Sequence, residues 1–121
     1  MADPFYVKFS QPEGLEEEAL KILSKAEKIR KGTNETTKSI ERLRAKIVYI
    51  SKDVEPPEIV GHLPLLCEEK KIPYVFVKNR KELGKAAGLK VSTASCAILD
   101  AGRANKDLDA IAKRLKELAG I

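Results

Sequence analysis

The sequence is poor in the residues that give many proteins a recognisable chemistry. Tryptophan is absent, and there are three tyrosines, three phenylalanines, two cysteines, one methionine and one histidine among 121 residues. Since 43% of the residues are hydrophobic but only 5% are aromatic, we expect an aliphatic core. No apolar run reaches the length of about 18 residues needed to cross a membrane, and the N-terminus lacks the apolar segment of a signal peptide. We therefore expect a soluble cytoplasmic protein with no membrane partner.

Cysteine and histidine are too scattered for a zinc site, which needs about four ligands. Cys67 and Cys96 both lie among apolar residues, so we expect small core residues with free thiols, as in a reducing compartment. His62 precedes Cys67 by five residues, which does not put the two on one helical face. Neither a P-loop nor a dinucleotide-binding glycine motif occurs. The sequence therefore predicts no metal, no cofactor and no catalytic residue.

The charge balance favours an anionic partner without identifying one. The formal net charge is +5 and the calculated pI is about 9.2. Basic residues concentrate in the stretches 25–46 and 78–90, whereas an acidic block at 13–18 lies outside both. If the fold brings the two basic stretches together, they form one basic face.

Hydrophobic periodicity predicts strands alternating with helices. Apolar residues three and four apart indicate helices, and short β-branched runs indicate strands. The predicted helices are 11–28, 34–44, 58–71, 79–87 and 107–119, and the predicted strands are 46–51, 73–78 and 95–100. Residues 1–11 are expected to form an edge strand or an arm lying on the body. This order predicts an α/β fold, a three-layer α/β/α sandwich with a small central mixed sheet, formed as one domain by residues 1–121.

The stretch RKGTNETTKS, residues 30–39, organises the rest of the interpretation. Gly32 supplies a sharp bend, and Thr33 or Asn34 is expected to cap the helix that follows. Asn34, Glu35 and Lys38 then place an amide, a carboxylate and an ammonium on one small surface, a mixture that suits reading base edges. The alternative is a well-capped, solvated helix start with no ligand.

Two loops contain further candidate binding residues. Leu89 and Val91 are apolar residues in a loop beside the basic stretch 78–90, so they either pack inward or form an apolar platform for an extruded RNA base. Asp53, Glu55 and Glu58 follow a strand, where ligands of α/β folds bind. For Asp53 and Glu58 we favour the simpler interpretation of solvated loop acids.

Five motifs together resemble a known family: GTNETTK at 32–38, EPPEI at 55–59, HLPLLC at 62–67, PYVFV at 73–77 and LG at 83–84. They are similar to the kink-turn-binding ribosomal proteins, in particular to the archaeal large-subunit protein of the L7Ae type. The resemblance extends from about residue 15 to the C-terminus. It implies an RNA-binding α/β/α sandwich without catalytic activity.

The resemblance also implies roles for individual residues. Asn34, Glu35 and Lys38 would contact the tandem sheared G·A pairs of a kink-turn. Glu55 and Ile59 would lie near an extruded nucleotide, and Arg80 would approach the RNA backbone. The loop 89–91 would cover the flipped base, and its Leu-Lys-Val sequence resembles the permissive archaeal type. The full expected RNA-binding set is Lys31, Gly32, Thr33, Asn34, Glu35, Thr37, Lys38, Arg42, Glu55, Ile59, Arg80, Leu89, Lys90, Val91 and Ser92.

The partners implied by the resemblance are several RNAs and the proteins assembled on them. They comprise ribosomal RNA, box C/D and box H/ACA guide RNAs and ribonuclease P RNA, the last with a role in tRNA processing, together with other ribonucleoprotein core proteins. The protein would be a monomer when free. The alternative is a protein-interaction module of the same fold, which would not require Lys38 or Leu89.

Overall fold

The computed structural model describes residues 3–121. Its helices and strands, in chain order, are α1 (Leu15–Lys25), β1 (Lys28–Lys31), α2 (Thr33–Glu41), β2 (Ile47–Ser51), α3 (Leu63–Lys70), β3 (Tyr74–Val77), α4 (Arg80–Ala86), β4 (Ser95–Asp100) and α5 (Asn105–Ala119). Short 3₁₀ turns cover Pro57–Ile59 and Gly102–Ala104. Over this part of the chain, no helix is long and apolar enough to span a membrane.

The four strands form one mixed sheet in the order β1-β4-β2-β3. β4 pairs antiparallel with both β1 and β2, whereas β2 and β3 are parallel. In β2, Ile47 and Tyr49 face a core shared with α1, α4 and α5, while Val48 and Ile50 face a second core shared with α2 and α3. Helices therefore cover both faces of the sheet, which confirms the predicted α/β class with a central mixed sheet.

Strand β1 was not predicted. The apolar stripe of the first helix continues through Ala26 and Ile29, so the sequence indicated a helix as far as residue 28. In the structure α1 ends at Lys25, Ala26 is extended, and β1 pairs with the far end of the chain at β4. The prediction failed because this short strand, KIRK, has little apolar sequence of its own and forms through pairing with a strand about 70 residues away.

Two helix boundaries also differ from the expectation. α2 ends at Glu41, whereas the predicted helix extends to residue 44; Leu43, beyond the observed end, has a φ of 58° and a 66% exposed side chain. The predicted helix 58–71 is a 3₁₀ turn followed by α3, with Pro64 in its first turn. Proline is tolerated there because the N–H that it lacks would have no partner within the helix.

The two cysteines pack in the core as expected. Cys67 and Cys96 are both buried free thiols, and they belong to the cores on opposite faces of the sheet. The sheet therefore separates them, and they cannot form a disulfide with each other. Burial raises the pKa of each thiol to about 12, so both remain protonated at neutral pH.

The N-terminal residues form an arm and no strand between residues 3 and 11. Tyr6 is buried and its hydroxyl donates to the carbonyl of Ser51, while Phe9 packs on Tyr74 and Phe76. Of the two sequence interpretations, an arm lying on the body is the correct one. The arm packs against Tyr74 and Phe76 of β3, which is the edge strand of the sheet.

Gln11 closes the exposed edge of β3. Its side-chain Nε2 donates to the carbonyl of Phe76 at 3.0 Å, and its Oε1 accepts from the Phe76 N–H at 2.6 Å. The amide thus replaces the donor and acceptor that a neighbouring strand would supply. Because both partners are part-buried, these two main-chain groups would otherwise be poorly satisfied.

Replacing Gln11 by alanine should lower the free energy of unfolding by about 1–2 kcal/mol, since two partly buried main-chain groups lose their partners. Urea denaturation measures the change. Glu13→Ala, at an exposed position of the same segment, is the matched control and should change stability by less than about 0.5 kcal/mol. Equal stability of the two variants would show that Gln11 does not close the edge.

Candidate functional site

Most of the residues that the sequence analysis singled out lie at one end of the sheet. The register pairs Lys31 with Cys96 and Ser51 with Val77, so β1, β2 and β3 end where β4 begins. Four connections therefore lie at this same end of the sheet. They are the turn before α2, the loop after β2, the turn before α4 and the loop before β4. The starts of α2 and α4, one from each basic stretch of the sequence, therefore lie at the same end of the sheet.

Gly32 makes the turn that starts α2. Its φ of 90° and ψ of 154° lie where a residue with a side chain is strained, although nothing would obstruct a Cβ. Its N–H donates to the Ser95 carbonyl at 3.0 Å, and its carbonyl accepts from both the N–H and the hydroxyl of Thr36, at 2.9 and 2.7 Å. The turn is therefore fixed to β4 on one side and to the first turn of α2 on the other.

The expected side-chain cap on α2 is wrong. Gly32, and neither Thr33 nor Asn34, occupies the cap position, and no side chain caps the helix there. The Thr33 hydroxyl lies instead 3.1 Å from that of Ser95. The Asn34 side chain is exposed and forms no hydrogen bond with the described part of the chain, so its amide is available to a ligand.

Glu35 and Lys38 stand together on the surface beside Asn34. Glu35 Oε1 lies 3.6 Å from Lys38 Nζ, and the two side chains are 51% and 56% exposed. An ion pair this exposed contributes little to stability, so both groups can exchange partners at small cost to the fold. The structure thus brings together the amide, the carboxylate and the ammonium that the sequence predicted.

An open groove of about 430 Å³ runs between α2 and the segment before α3. It is lined by Thr33, Asn34, Thr37, Lys38, Glu41, Ile59 and His62. Ile59 is 46% exposed and gives this groove an apolar wall. Of the predicted set, Thr33, Asn34, Thr37, Lys38 and Ile59 therefore share one surface.

His62 belongs to this groove, although the sequence suggested no binding role for it. Its Nε2 lies 3.0 Å from the Thr37 hydroxyl, which in turn donates to the Thr33 carbonyl at 2.8 Å. Because a hydroxyl has one proton to donate, His62 must donate to Thr37 through Nε2–H. The two residues are 25 positions apart, and no local spacing could have indicated the pair.

Glu55 and Arg80 lie outside this groove. Glu55 lines a neighbouring depression of about 650 Å³ with Asp53, Val54 and Pro57. Asp53 Oδ1 accepts from the Arg80 main-chain N–H at 2.9 Å and lies 3.6 Å from its guanidinium Nε. Asp53 is thus not the free loop acid that the sequence indicated, because it holds the start of α4 and orients Arg80.

The loop 89–92 packs directly on α4. A Cβ on Gly84 would overlap the carbonyl oxygen of Val91 and would lie 3.0 Å from the Ser92 Cα, so only glycine permits this approach. Leu89 is half-buried against the core, whereas Val91 is 69% exposed. Leu89 therefore packs inward, and Val91 is exposed to solvent, as an apolar platform would require.

The remaining predicted residues lie at the margins. Lys31 ends β1, and Lys90 and Ser92 are exposed on either side of Val91. Arg42 stands at the C-terminal end of α2, about 12 Å along the helix axis from Asn34. Across residues 3–121, no three His, Cys, Asp or Glu side chains come together as a metal site.

Comparison with known proteins supports the fold described above. Residues 16–108 match the family model described as the ribosomal protein L7Ae/L30e/S12e/Gadd45 family. Among solved structures, the chain resembles the Giardia lamblia 15.5kD RNA binding protein, with a TM-score of 0.84 and 34% sequence identity. That match covers 97% of this chain and 99% of the Giardia chain.

Replacing Gly84 by alanine should cost about 1–3 kcal/mol of stability, because the new methyl group must displace the Val91–Ser92 backbone from α4. Denaturant unfolding measures the loss, and amide exchange should show reduced protection in loop 89–92. Lys85→Ala, the next residue but exposed, is the control and should stay within about 0.5 kcal/mol of the parent. A fully stable Gly84→Ala protein would contradict the close approach.

Proposed function

Because the chain belongs to the ribosomal protein L7Ae/L30e/S12e/Gadd45 family, we propose that it is a non-enzymatic RNA-binding protein and that it recognises kink-turn motifs. The observation that carries the proposal is the exposed group of Asn34, Glu35 and Lys38 at the start of α2. The RNA-binding protein named in the structural match supports the same function.

The chemistry of the three side chains suits base edges better than phosphates. An amide both donates and accepts, a carboxylate only accepts, and an ammonium only donates. We assign Glu35 to guanine N–H groups and Lys38 to a guanine acceptor, in the tandem G·A pairs of a kink-turn. A site for phosphates alone would have no use for a carboxylate at its centre.

The apolar side chains beside this group suit a nucleotide turned out of the helix. Ile59 forms the wall of the groove next to Asn34 and Lys38, and Val91 protrudes from the loop that rests on α4. We assign both to the faces of an extruded base, with Glu55 near the same nucleotide and Arg80 directed to the backbone. Leu89 supports the loop from below through its contact with the core.

The cellular role is proposed from the family resemblance of the sequence. We propose that residues 1–121 act as one domain of an archaeal large-subunit ribosomal protein that also serves in box C/D and box H/ACA guide particles and in ribonuclease P. In the guide particles the chemistry would belong to partner proteins. The free protein would be a cytoplasmic monomer.

Glu35→Ala should weaken the binding of kink-turn RNA by about 1–3 kcal/mol, the scale of one base-edge contact. Glu41→Ala is the matched control, because Glu41 lines the same groove and its loss changes the net charge equally. If Glu35 acted only as a charge, both variants would bind RNA more tightly than the parent. Titration of labelled RNA measures both affinities, and tighter binding by Glu35→Ala would refute base reading.

Val91→Ser should weaken RNA binding without changing its dependence on salt, since the contact is apolar. Leu89→Ala should mainly lower the melting temperature, because Leu89 packs against the core. Affinity titrations at several salt concentrations, together with thermal unfolding, separate the two effects. The assignment of Val91 fails if its variant binds as tightly as the parent.

A further inference from the structure

A lysine surface on α4 remains unused by the proposed site. Lys81 and Lys85 are exposed and four residues apart, so they lie on one stripe of the helix. We call the stripe formed by Lys81 and Lys85 the α4 lysine surface; the exposed Lys90 of the adjacent loop, which belongs to the expected RNA-binding set, lies beside it. The α4 lysine surface adjoins the residues assigned to RNA and has no role in the fold described above.

Helix geometry gives the direction of this surface. At about 100° per residue, Leu83 points to the core and Gly84 points to the loop at Val91. Lys81 and Lys85 follow on the next sector of the helix, about 60–100° beyond Gly84 and away from the core. The lysines therefore border the loop that carries Val91, on its solvent side.

The charges of this surface are not neutralised by the protein. Within residues 3–121, the ion pairs are Glu35–Lys38, Asp3–Lys52, Asp53–Arg80 and Glu18–Arg114, and none involves Lys81, Lys85 or Lys90. Glu82, the one acid of α4, pairs with neither lysine of its helix. Arg80, the residue before Lys81, does form an ion pair, with Asp53.

The placement of these lysines does not help α4 to fold. Like charges four residues apart on a helix repel each other, and Lys81 lies in the first turn, where the helix dipole disfavours a cation. The large exposed apolar residues among residues 3–121 are Phe5, Leu43, Ile59, Leu65 and Val91, and none belongs to α4. The surface thus offers positive charge without an apolar platform, which suits a phosphate backbone and gives no place for a stacked base or an apolar protein patch.

We infer that the α4 lysine surface binds the phosphates of the double-stranded RNA stem that leads away from the extruded nucleotide. The inference rests on the proposed function, because it needs the kinked RNA seated at α2 and Val91. It assigns to Lys81 and Lys85 a contact with duplex backbone that is independent of sequence.

The test compares two double variants on two RNAs. Lys81→Gln/Lys85→Gln removes the two positive charges of the α4 lysine surface. Arg103→Gln/Lys106→Gln removes two positive charges from exposed positions at the opposite end of the sheet, where β4 ends. One RNA is a kink-turn with a long flanking stem, and the other has that stem trimmed to the base pairs next to the kink. Affinity is measured across a salt series, after thermal unfolding has shown that both variants are folded.

With the long-stem RNA, the slope of log K against log salt should fall by about 1.8 for Lys81→Gln/Lys85→Gln, or about 0.9 per phosphate contact, which corresponds to about 60-fold weaker binding at 0.1 M salt. With the trimmed RNA the variant should match the parent. Arg103→Gln/Lys106→Gln should keep the parent slope on both RNAs.

Three results would overturn the inference. If the parent binds both RNAs and Lys81→Gln/Lys85→Gln keeps its slope, the α4 lysine surface does not contact RNA, and the proposed function stands. If the two double variants lose slope equally, only the overall charge matters. If the parent does not bind the kink-turn RNA at all, the proposed function and this inference fail together.

Discussion

Ser95, the first residue of β4, holds the two halves of the candidate site in fixed relation. Its carbonyl accepts hydrogen bonds from the Gly32 N–H and from the Thr93 hydroxyl, both at 3.0 Å, and its own hydroxyl lies 3.1 Å from that of Thr33. Because Ser95 is fully buried, these bonds are shielded from water. The α2 start and the end of loop 89–92 are therefore tied to one residue of the sheet, and an RNA that uses both would find them already positioned.

The residues of the candidate site fall into two groups. One group fixes the backbone through hydrogen bonds or close packing, and the other has side chains exposed to solvent. Gly32, Thr36 and Asp53 form hydrogen bonds within the protein. Gly84 has no side chain, which allows loop 89–92 to pack closely on α4. Asn34, Glu35, Lys38 and Val91 keep much of their surface exposed and contribute little to stability. The exposed groups can thus be changed at little cost in stability, whereas changes to the groups that fix the backbone should destabilise the protein.

Local sequence was sufficient for the elements with strong patterns. The β-branched runs IVYI and YVFV are typical of buried strands. The helix predicted over 79–87 is confirmed as α4, which Asn79 caps by accepting a hydrogen bond from the Glu82 N–H. β1 could not be recognised, since Ile29 continues the helical stripe and the strand exists only through β4. The Thr37–His62 bond and the Gly84–Val91 approach were equally hidden, because each depends on how separate elements pack. Local sequence thus placed Asn34, Glu35 and Lys38 on one surface but did not show the packing that fixes this surface in place.

The central claim is that the α2 start reads the G·A pairs of a kink-turn, and one comparison tests it most directly. The parent protein is titrated against a kink-turn RNA and against the same RNA with its G·A pairs replaced by Watson–Crick pairs. At about 1–3 kcal/mol for each base-edge contact, loss of the contacts of Glu35 and Lys38 predicts at least about 30-fold weaker binding to the second RNA. Equal affinity for the two RNAs would contradict the account.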